Sequence, residues 1–249
     1  MQRGTPTLGL HATTDIGNVR KTNEDTYVLA PNLLTRDNDV AASRSLVAVF
    51  DGHGGRRAAE YLETHCVRVF TESEAYGCDT KAALTATCQR LDAAFLALAA
   101  DGGSFNDGAT AIIVVVEQRH DASVVVTTAN VGDSRALLCH VKQPPVALSV
   151  DQTAARDDEA SRVYAAGGFV AYKNKFRPHI ATLSGVKRRL RGTKEAWMRS
   201  LGRPLRVYPG GVMCSRSIGD LNCKQSNVLI SDPEITEIEL STDHVCAVK

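Results

Sequence analysis

Five acidic residues stand where apolar runs break at turns: Glu24, Asp25, Asp51, Asp133 and Asp220. A carboxylate at a strand tip is costly unless it is paired, hydrated or bound to a metal. Carboxylates gathered in this way, without a matching Cys/His set, suit hard cations such as Mg2+ or Mn2+. Two such ions about 3.5–4 Å apart can activate a water between them for in-line attack on phosphorus. The most specific stretch is Val47-Ala48-Val49-Phe50-Asp51-Gly52-His53-Gly54-Gly55. Four apolar residues deliver Asp51 to a strand end, where the chain must turn sharply. Gly52 lets an ion approach the backbone, so its carbonyl is available as an oxygen ligand. A bare Asp-Gly is most often an ordinary turn; the longer run is far more specific. Glu24 and Asp25 at a strand entry read equally well as hard oxygen ligands or as a solvated turn.

Positioning these groups requires strands that end together. A first strand is expected at 11–14, a polar loop over 15–25, a strand from Tyr27, a connection over 31–44 and a central strand at 46–50. Apolar residues at spacings of three and four predict a helix from about 55 to 76, facing the core with Ala58, Ala59, Leu62, Cys66, Val69 and Phe70. A second helix, about 80–100, carries Leu84, Cys88, Leu91, Phe95 and Leu98 on one stripe, with Asp79 or Thr80 as its cap. Runs at 109–117, 123–130, 135–140 and 146–150, joined by short turns, predict an antiparallel meander buried on both faces and covered by helices. A short helix at 157–166, a strand at 169–172, an apolar strand leading into Ser215, and strands at 228–230, 235–240 and 244–248 complete the reading.

The 249 residues allow one large domain or two small ones, and 43% hydrophobic with 23% charged residues is ordinary for a globular chain. A formal net charge of +1 offers no global attraction to nucleic acid or membrane. Seven cysteines form no CxxC pair and no zinc spacing, which fits free thiols in a reducing compartment. A cytoplasmic, monomeric protein is expected, with Lys187-Arg188-Arg189 as a weak nuclear signal.

The order of motifs carries a resemblance. Arg20-Lys21-Thr22-Asn23-Glu24-Asp25, Val49-Phe50-Asp51-Gly52-His53-Gly54-Gly55, Gly108-Ala109-Thr110-Ala111, Ala129-Asn130-Val131-Gly132-Asp133-Ser134-Arg135, Ser215-Arg216-Ser217-Ile218-Gly219-Asp220 and Asp232-Pro233-Glu234 resemble the successive motifs of the metal-dependent protein phosphatase 2C family. The resemblance spans about residues 10–248 and implies one domain over 10–249. It implies an α+β fold, an α-β-β-α sandwich of two antiparallel sheets flanked by helices. It also implies hydrolysis of phosphoserine and phosphothreonine in phosphoprotein substrates with two Mg2+ or Mn2+ ions. By position, Asp51 bridges the two metals, while Glu24 and the Gly52 carbonyl serve the second. Asp133 belongs to a weaker third metal site. Arg20 holds the substrate phosphate, and His53 is the general acid for the leaving alkoxide.

The family's later motifs, including an aspartate for the first metal just after a strand like 244–248, are not in these residues. The expectation is therefore a piece of a longer phosphatase, the alternative being a non-catalytic phosphoprotein binder on the same scaffold. Residues 173–211 take the place of the family's variable flap. Eight Lys or Arg against one acid, Glu195, lie between Lys187 and Arg206. Such a run is commonly a solvated face; the sharper reading is a docking flap in which Lys187, Arg188 and Arg189 favour acidic substrates. Charge reversal at those three positions should then raise KM for an acidic phosphopeptide and leave that for a small aryl phosphate unchanged. Equal effects on both substrates would count against the docking role.

Overall fold

Unbroken apolar runs around Val47 and Val114 become central strands with a packed layer against each face. A computed structural model describes residues 8–101, 105–140, 143–172, 175–177, 204–224, 227–240 and 244–248. In chain order the elements are β1 (Thr26–Leu33), β2 (Ala41–Phe50), β3 (Gly52–His53), α1 (Arg57–Thr71), α2 (Thr80–Asp101), β4 (Gly108–Ala109), β5 (Ala111–Arg119), β6 (Val124–Val131), β7 (Ala136–His140) and β8 (Gln143–Ala147). There follow α3 (Asp157–Ala165), β9 (Phe169–Tyr172), β10 (Lys175–Arg177), β11 (Leu205–Tyr208), β12 (Ile218–Gly219), α4 (Leu221–Lys224), β13 (Glu234–Leu240) and β14 (His244–Val248). None of the described helices is long and apolar enough to cross a membrane.

One antiparallel sheet runs in the order β1-β2-β5-β6-β13, and a second in the order β14-β7-β8. Successive residues of a strand point to opposite faces. Leu46, Ala48, Phe50, Ile113 and Val115 pack with Leu62, Phe70, Leu84 and Leu91 of α1 and α2. Their neighbours Val47, Val49, Ile112 and Val114 pack with Ala136 and Leu138 of the second sheet. Burial on both faces is why these strands show no polar alternation. The fold is thus an α+β sandwich of two antiparallel sheets with helices on the outside. Among the described residues the helical cover lies on the larger sheet, while α3 packs with β9 and β11.

Both long helices form where the spacing predicts them. The α1 face is Ala58, Ala59, Leu62, Cys66, Val69 and Phe70. On α2, Ala99 takes the last buried position and Leu98, predicted there, is exposed; the stripe advances by four residues at that turn. Asp79 is the cap, its Oδ1 accepting the Ala82 N–H at 3.0 Å. Thr80 instead donates its hydroxyl to Glu117.

Other expectations need correction. The four strands after α2 are not one meander: β5 and β6 stay in the first sheet, and the chain crosses at Gly132 to pair β7 and β8 in the second. Alternation reports burial and cannot say which sheet a strand joins. The fourth strand lies at Gln143–Ala147, exposed along its length, and not at 146–150. Residues 11–14 carry no strand, and 212–217 and 230 contribute only isolated bridges. Lys187, Arg188 and Arg189 lie outside the described residues.

The end of the sheet away from Asp51 is closed by a buried arginine. Arg44 donates to both carboxylate oxygens of Asp39 at 2.9 Å and to Glu117 at 2.8 Å, and lies 4.5 Å over the Tyr76 ring. Removing one partner from such a network strands the others in a dry site. Arg44→Ala should therefore lower unfolding stability by about 3–5 kcal/mol in urea titration. A loss below about 1 kcal/mol would show that Asp39 and Glu117 rehydrate.

Candidate metal centre

Antiparallel register brings the sequence's separate acids together. Thr26 pairs with Phe50, so Asp25, one residue earlier, meets Asp51, one residue later. Ala111 pairs with Val131, and the turn that follows carries Asp133 to the same end. Asp25, Asp51 and Asp133 all line a groove of about 1070 Å3 between the first sheet and the segment 8–15, whose walls include Val47, Val49, Val114 and Val116.

These carboxylates crowd one another. The Asp51 carboxyl is pushed up to about 6, first by burial and then by the charges of Asp25 and Asp133. Asp25 is within hydrogen-bonding reach of it. Burial likewise raises Asp133. Among the described residues no Lys or Arg makes an ion pair with any of the three. Asp25 and Asp51 remain open to solvent and Asp133 is half-buried, so three mutually repelling carboxylates are accessible to a divalent cation, which fits this donor set. Glu24 stands beside them, with Arg20 3.7 Å away. That contact is loose, for the Arg20 side chain is 74% exposed.

Tight turns present these groups. Gly52 packs against the Glu24 backbone so closely that a Cβ would clash with it. The Asp51 carbonyl accepts the Thr110 N–H at 2.9 Å, and the Thr110 and Ser134 hydroxyls are 2.6 Å apart. Gly132, at φ 108°, donates its N–H to Gln152 at 2.7 Å, and Gln152 returns a bond to the Asn130 carbonyl. Gly55, at φ 141°, lies against the Asp107 carboxylate, which accepts the Arg57 N–H at the start of α1. Asn23 orders the acidic loop by accepting the Asp25 N–H and donating to Thr14.

His53 does not face solvent alone. Its Nε2 lies 2.9–3.0 Å from both carboxylate oxygens of Asp220. Burial opposes protonation of the imidazole, but Asp220, then Asp51 and Asp133, outweigh it and raise its pKa. Sequence reading set Asp25 and Asp220 among the strand-end acids but gave neither a place in the site. For Asp25 the signal was the register of two strands. For Asp220 it was Ser217, three residues before, whose hydroxyl donates to Asp220 at 2.6 Å.

A different acidic trio is already neutralised. Asp158, Glu159 and Glu234 bring ligand atoms within 4.8 Å of one another. Arg156 bonds both Asp158 and Glu234, while Arg162 and Arg216 bond Glu159. Guanidinium charges stand where a cation would, so this is an ionic clasp and not the metal centre.

The family profile described as Protein phosphatase 2C matches residues 10–248. The chain is 30% identical over 226 residues to "Probable protein phosphatase 2C 76" of Arabidopsis thaliana, covering 90% of this chain and 43% of that protein. It is 32% identical over 203 residues to "Probable protein phosphatase 2C 52" of Oryza sativa subsp. japonica, covering 80% of this chain and 33% of that one. The chain thus spans a third to a half of the length of these curated relatives. The crystal structure of a serine-threonine phosphatase 2C from Toxoplasma gondii superposes with a TM-score of 0.66 at 19% identity, over 90% of this chain and 72% of that one. That likeness shows the fold. With the profile running through every motif that meets at the sheet end, the chain belongs to the protein phosphatase 2C family.

Proposed function

We propose that this chain contributes a metal-dependent serine/threonine protein phosphatase site, acting on phosphoserine and phosphothreonine in proteins. Residues 10–249 form its domain, with 173–211 as the flap. The observation that carries this reading is the gathering of Asp25, Asp51 and Asp133 near His53 with, among the described residues, no Lys or Arg ion-paired to them. Two divalent ions, Mg2+ or Mn2+, would supply an activated water and offset charge on the phosphoryl oxygens. Asp51 would hold both ions, with Glu24 and the Gly52 carbonyl serving one of them. Asp133 would hold a weaker third, and Asp25 adds charge to the same cluster.

The protein groups do the rest. Arg20, exposed at the rim, swings from its loose contact with Glu24 to clamp the phosphate dianion. His53 protonates the departing serine or threonine oxygen, which would otherwise leave as a strongly basic alkoxide. The turns at Gly52 and Gly132 keep the donors at one spot without rearrangement. Mn2+- or Mg2+-dependent hydrolysis of a phosphothreonine peptide, abolished in Asp51→Ala, is the direct test. Arg20→Ala should raise KM for that peptide about tenfold or more, the loss of a charge-assisted contact worth about 1.5–3 kcal/mol. If wild type and Asp51→Ala are equally inactive under all metal conditions, these residues do not catalyse by themselves, the outcome expected of a piece of a longer phosphatase or of a binder.

Metal loading has a readout that needs no turnover. Asp51 ionises near pH 6 in the metal-free fold against 3.8 ordinarily. The proton it retains contributes stability that is full below about pH 4 and is lost as pH rises through about 6. A divalent cation must displace that proton. Millimolar Mn2+ should therefore raise Tm more at pH 7.5 than at pH 5, and Asp51→Asn should abolish most of the difference. A Tm increment that is unchanged by Asp51→Asn would place the ion elsewhere.

A further inference from the structure

The three shortest strands make a platform for one side chain. β12, β4 and β3 form a sheet in which Gly108 pairs with His53 on one side and Gly219 on the other. A Cβ on Gly108 would collide with both the Asp220 carboxylate and His53 Nε2. The glycine therefore leaves the gap through which His53 and Asp220 meet. Asp220 is itself fixed from several directions. Its side chain is 2% exposed, and its N–H donates to the Asp107 carbonyl at 3.0 Å. Ser217 donates to its Oδ2. The preceding Gly219 N–H donates to Asp92 on α2 at 2.8 Å, and Lys224 clamps Asp92 at 2.8 Å and the Ser217 carbonyl at 2.7 Å.

We propose that Asp220 is a positioning residue: it holds the His53 ring through Nε2–H and leaves Nδ1 as the nitrogen that exchanges a proton with the substrate. An ionised carboxylate can only accept, so the nitrogen facing it carries hydrogen, and the other nitrogen is assigned by default. Built on the phosphatase reading above, the step balances. The water oxygen bonds to phosphorus and its proton passes to bulk water. The bond from phosphorus to the serine or threonine oxygen breaks. The Nδ1 proton of the imidazolium passes to that oxygen, leaving the imidazole neutral with its hydrogen on Nε2. Asp92 and Lys224 act one step further out, by setting where Asp220 stands.

Asp220→Asn tests this with little backbone disturbance, because Asn tolerates the left-handed φ of 56° that Asp220 adopts. Ser217 can still donate to the Asn carbonyl, which turns the amide NH2 toward His53 and forces the opposite tautomer. Nitrogen NMR of isotope-labelled histidine reads this directly in the full chain without metal, with the His53 signal assigned through His53→Gln. At alkaline pH the wild type should show the Nε2–H tautomer and Asp220→Asn the Nδ1–H tautomer. In turnover, Asp220→Asn should slow phenyl phosphate hydrolysis about 100-fold and para-nitrophenyl phosphate hydrolysis less than about threefold, since nitrophenolate leaves without a proton. A purely structural defect would slow both alike, and equal losses would overturn the proposal. So would a wild-type His53 with its hydrogen on Nδ1, a result that stands even if the variant fails to fold. If the wild type hydrolyses neither ester, the phosphatase reading fails, while the tautomer still decides the role of Asp220.

Discussion

Carboxylates gathered at the end of a sheet repel one another unless something positive joins them, and the same strands of this protein meet that constraint in two opposite ways. At one end Asp39 and Glu117 close on Arg44. Burial alone would raise Asp39, but the guanidinium outweighs it and holds the carboxyl below its ordinary value. At the other end Asp51 has acids for neighbours and is pushed up to about 6. The first arrangement is finished within the protein. Among the described residues no Lys or Arg makes an ion pair at the second, and a divalent cation would supply its counter-charge. Stability sits at the closed end and reactivity at the open end of one continuous β2–β5 ladder.

The turns explain why the open end does not relax. A carboxylate in crowded company would ordinarily swing out to water. Here the backbone on each side of Asp51 is tied down: Thr110 N–H bonds the Asp51 carbonyl, and Gly52 packs on the Glu24 backbone. Thr26, beside Asp25, donates its hydroxyl to the Ala59 carbonyl of α1. The helical layer and the sheet thus fix the acids jointly. A similar tie runs outward through Arg216, which joins Glu159 of α3 and the Asp232 carbonyl within the segment that ends at Asp220. The element that bears the His53 partner is therefore braced by α2, by α3 and by the approach to β13.

What the sequence revealed divides along physical lines. Helix α1 and the buried part of α2 were legible because a 3.6-residue period reports one local face. Asp51 was legible because a charge after four apolar residues contradicts its surroundings. Strand partnership was not: β6 and β7 are both apolar, and nothing local tells that the chain changes sheet at Gly132. The strand expected at 11–14 failed for the same reason: nothing local tells whether an extended, mixed stretch will pair, and here it does not, although β1 ends its sheet. Glu24 came into the site by motif position, whereas Asp25 sits nearer Asp51 because of the Thr26–Phe50 register. His53 and Asp220 are 167 residues apart, and the contact between them depends on a missing side chain at Gly108, a signal visible only once the strands are paired.

The charge of the site bears on binding as much as on chemistry. A phosphate monoester is an anion, and Asp25, Asp51 and Asp133 would meet it with further negative charge. Two divalent cations among three carboxylates, as proposed above, would reverse the sign of the local field, which falls off over about 8–10 Å in physiological salt. Substrate affinity is then contingent on metal occupancy before any bond is broken. Arg20 cannot substitute for that reversal, because a guanidinium 74% exposed acts through high-dielectric solvent. It can refine the position of a phosphate that the cations have already made welcome. His53 is bonded by Asp220, and on the proposed reading that contact would orient it for the leaving group. On that reading attraction, clamping and protonation would fall to separate groups, each held by a different part of the fold.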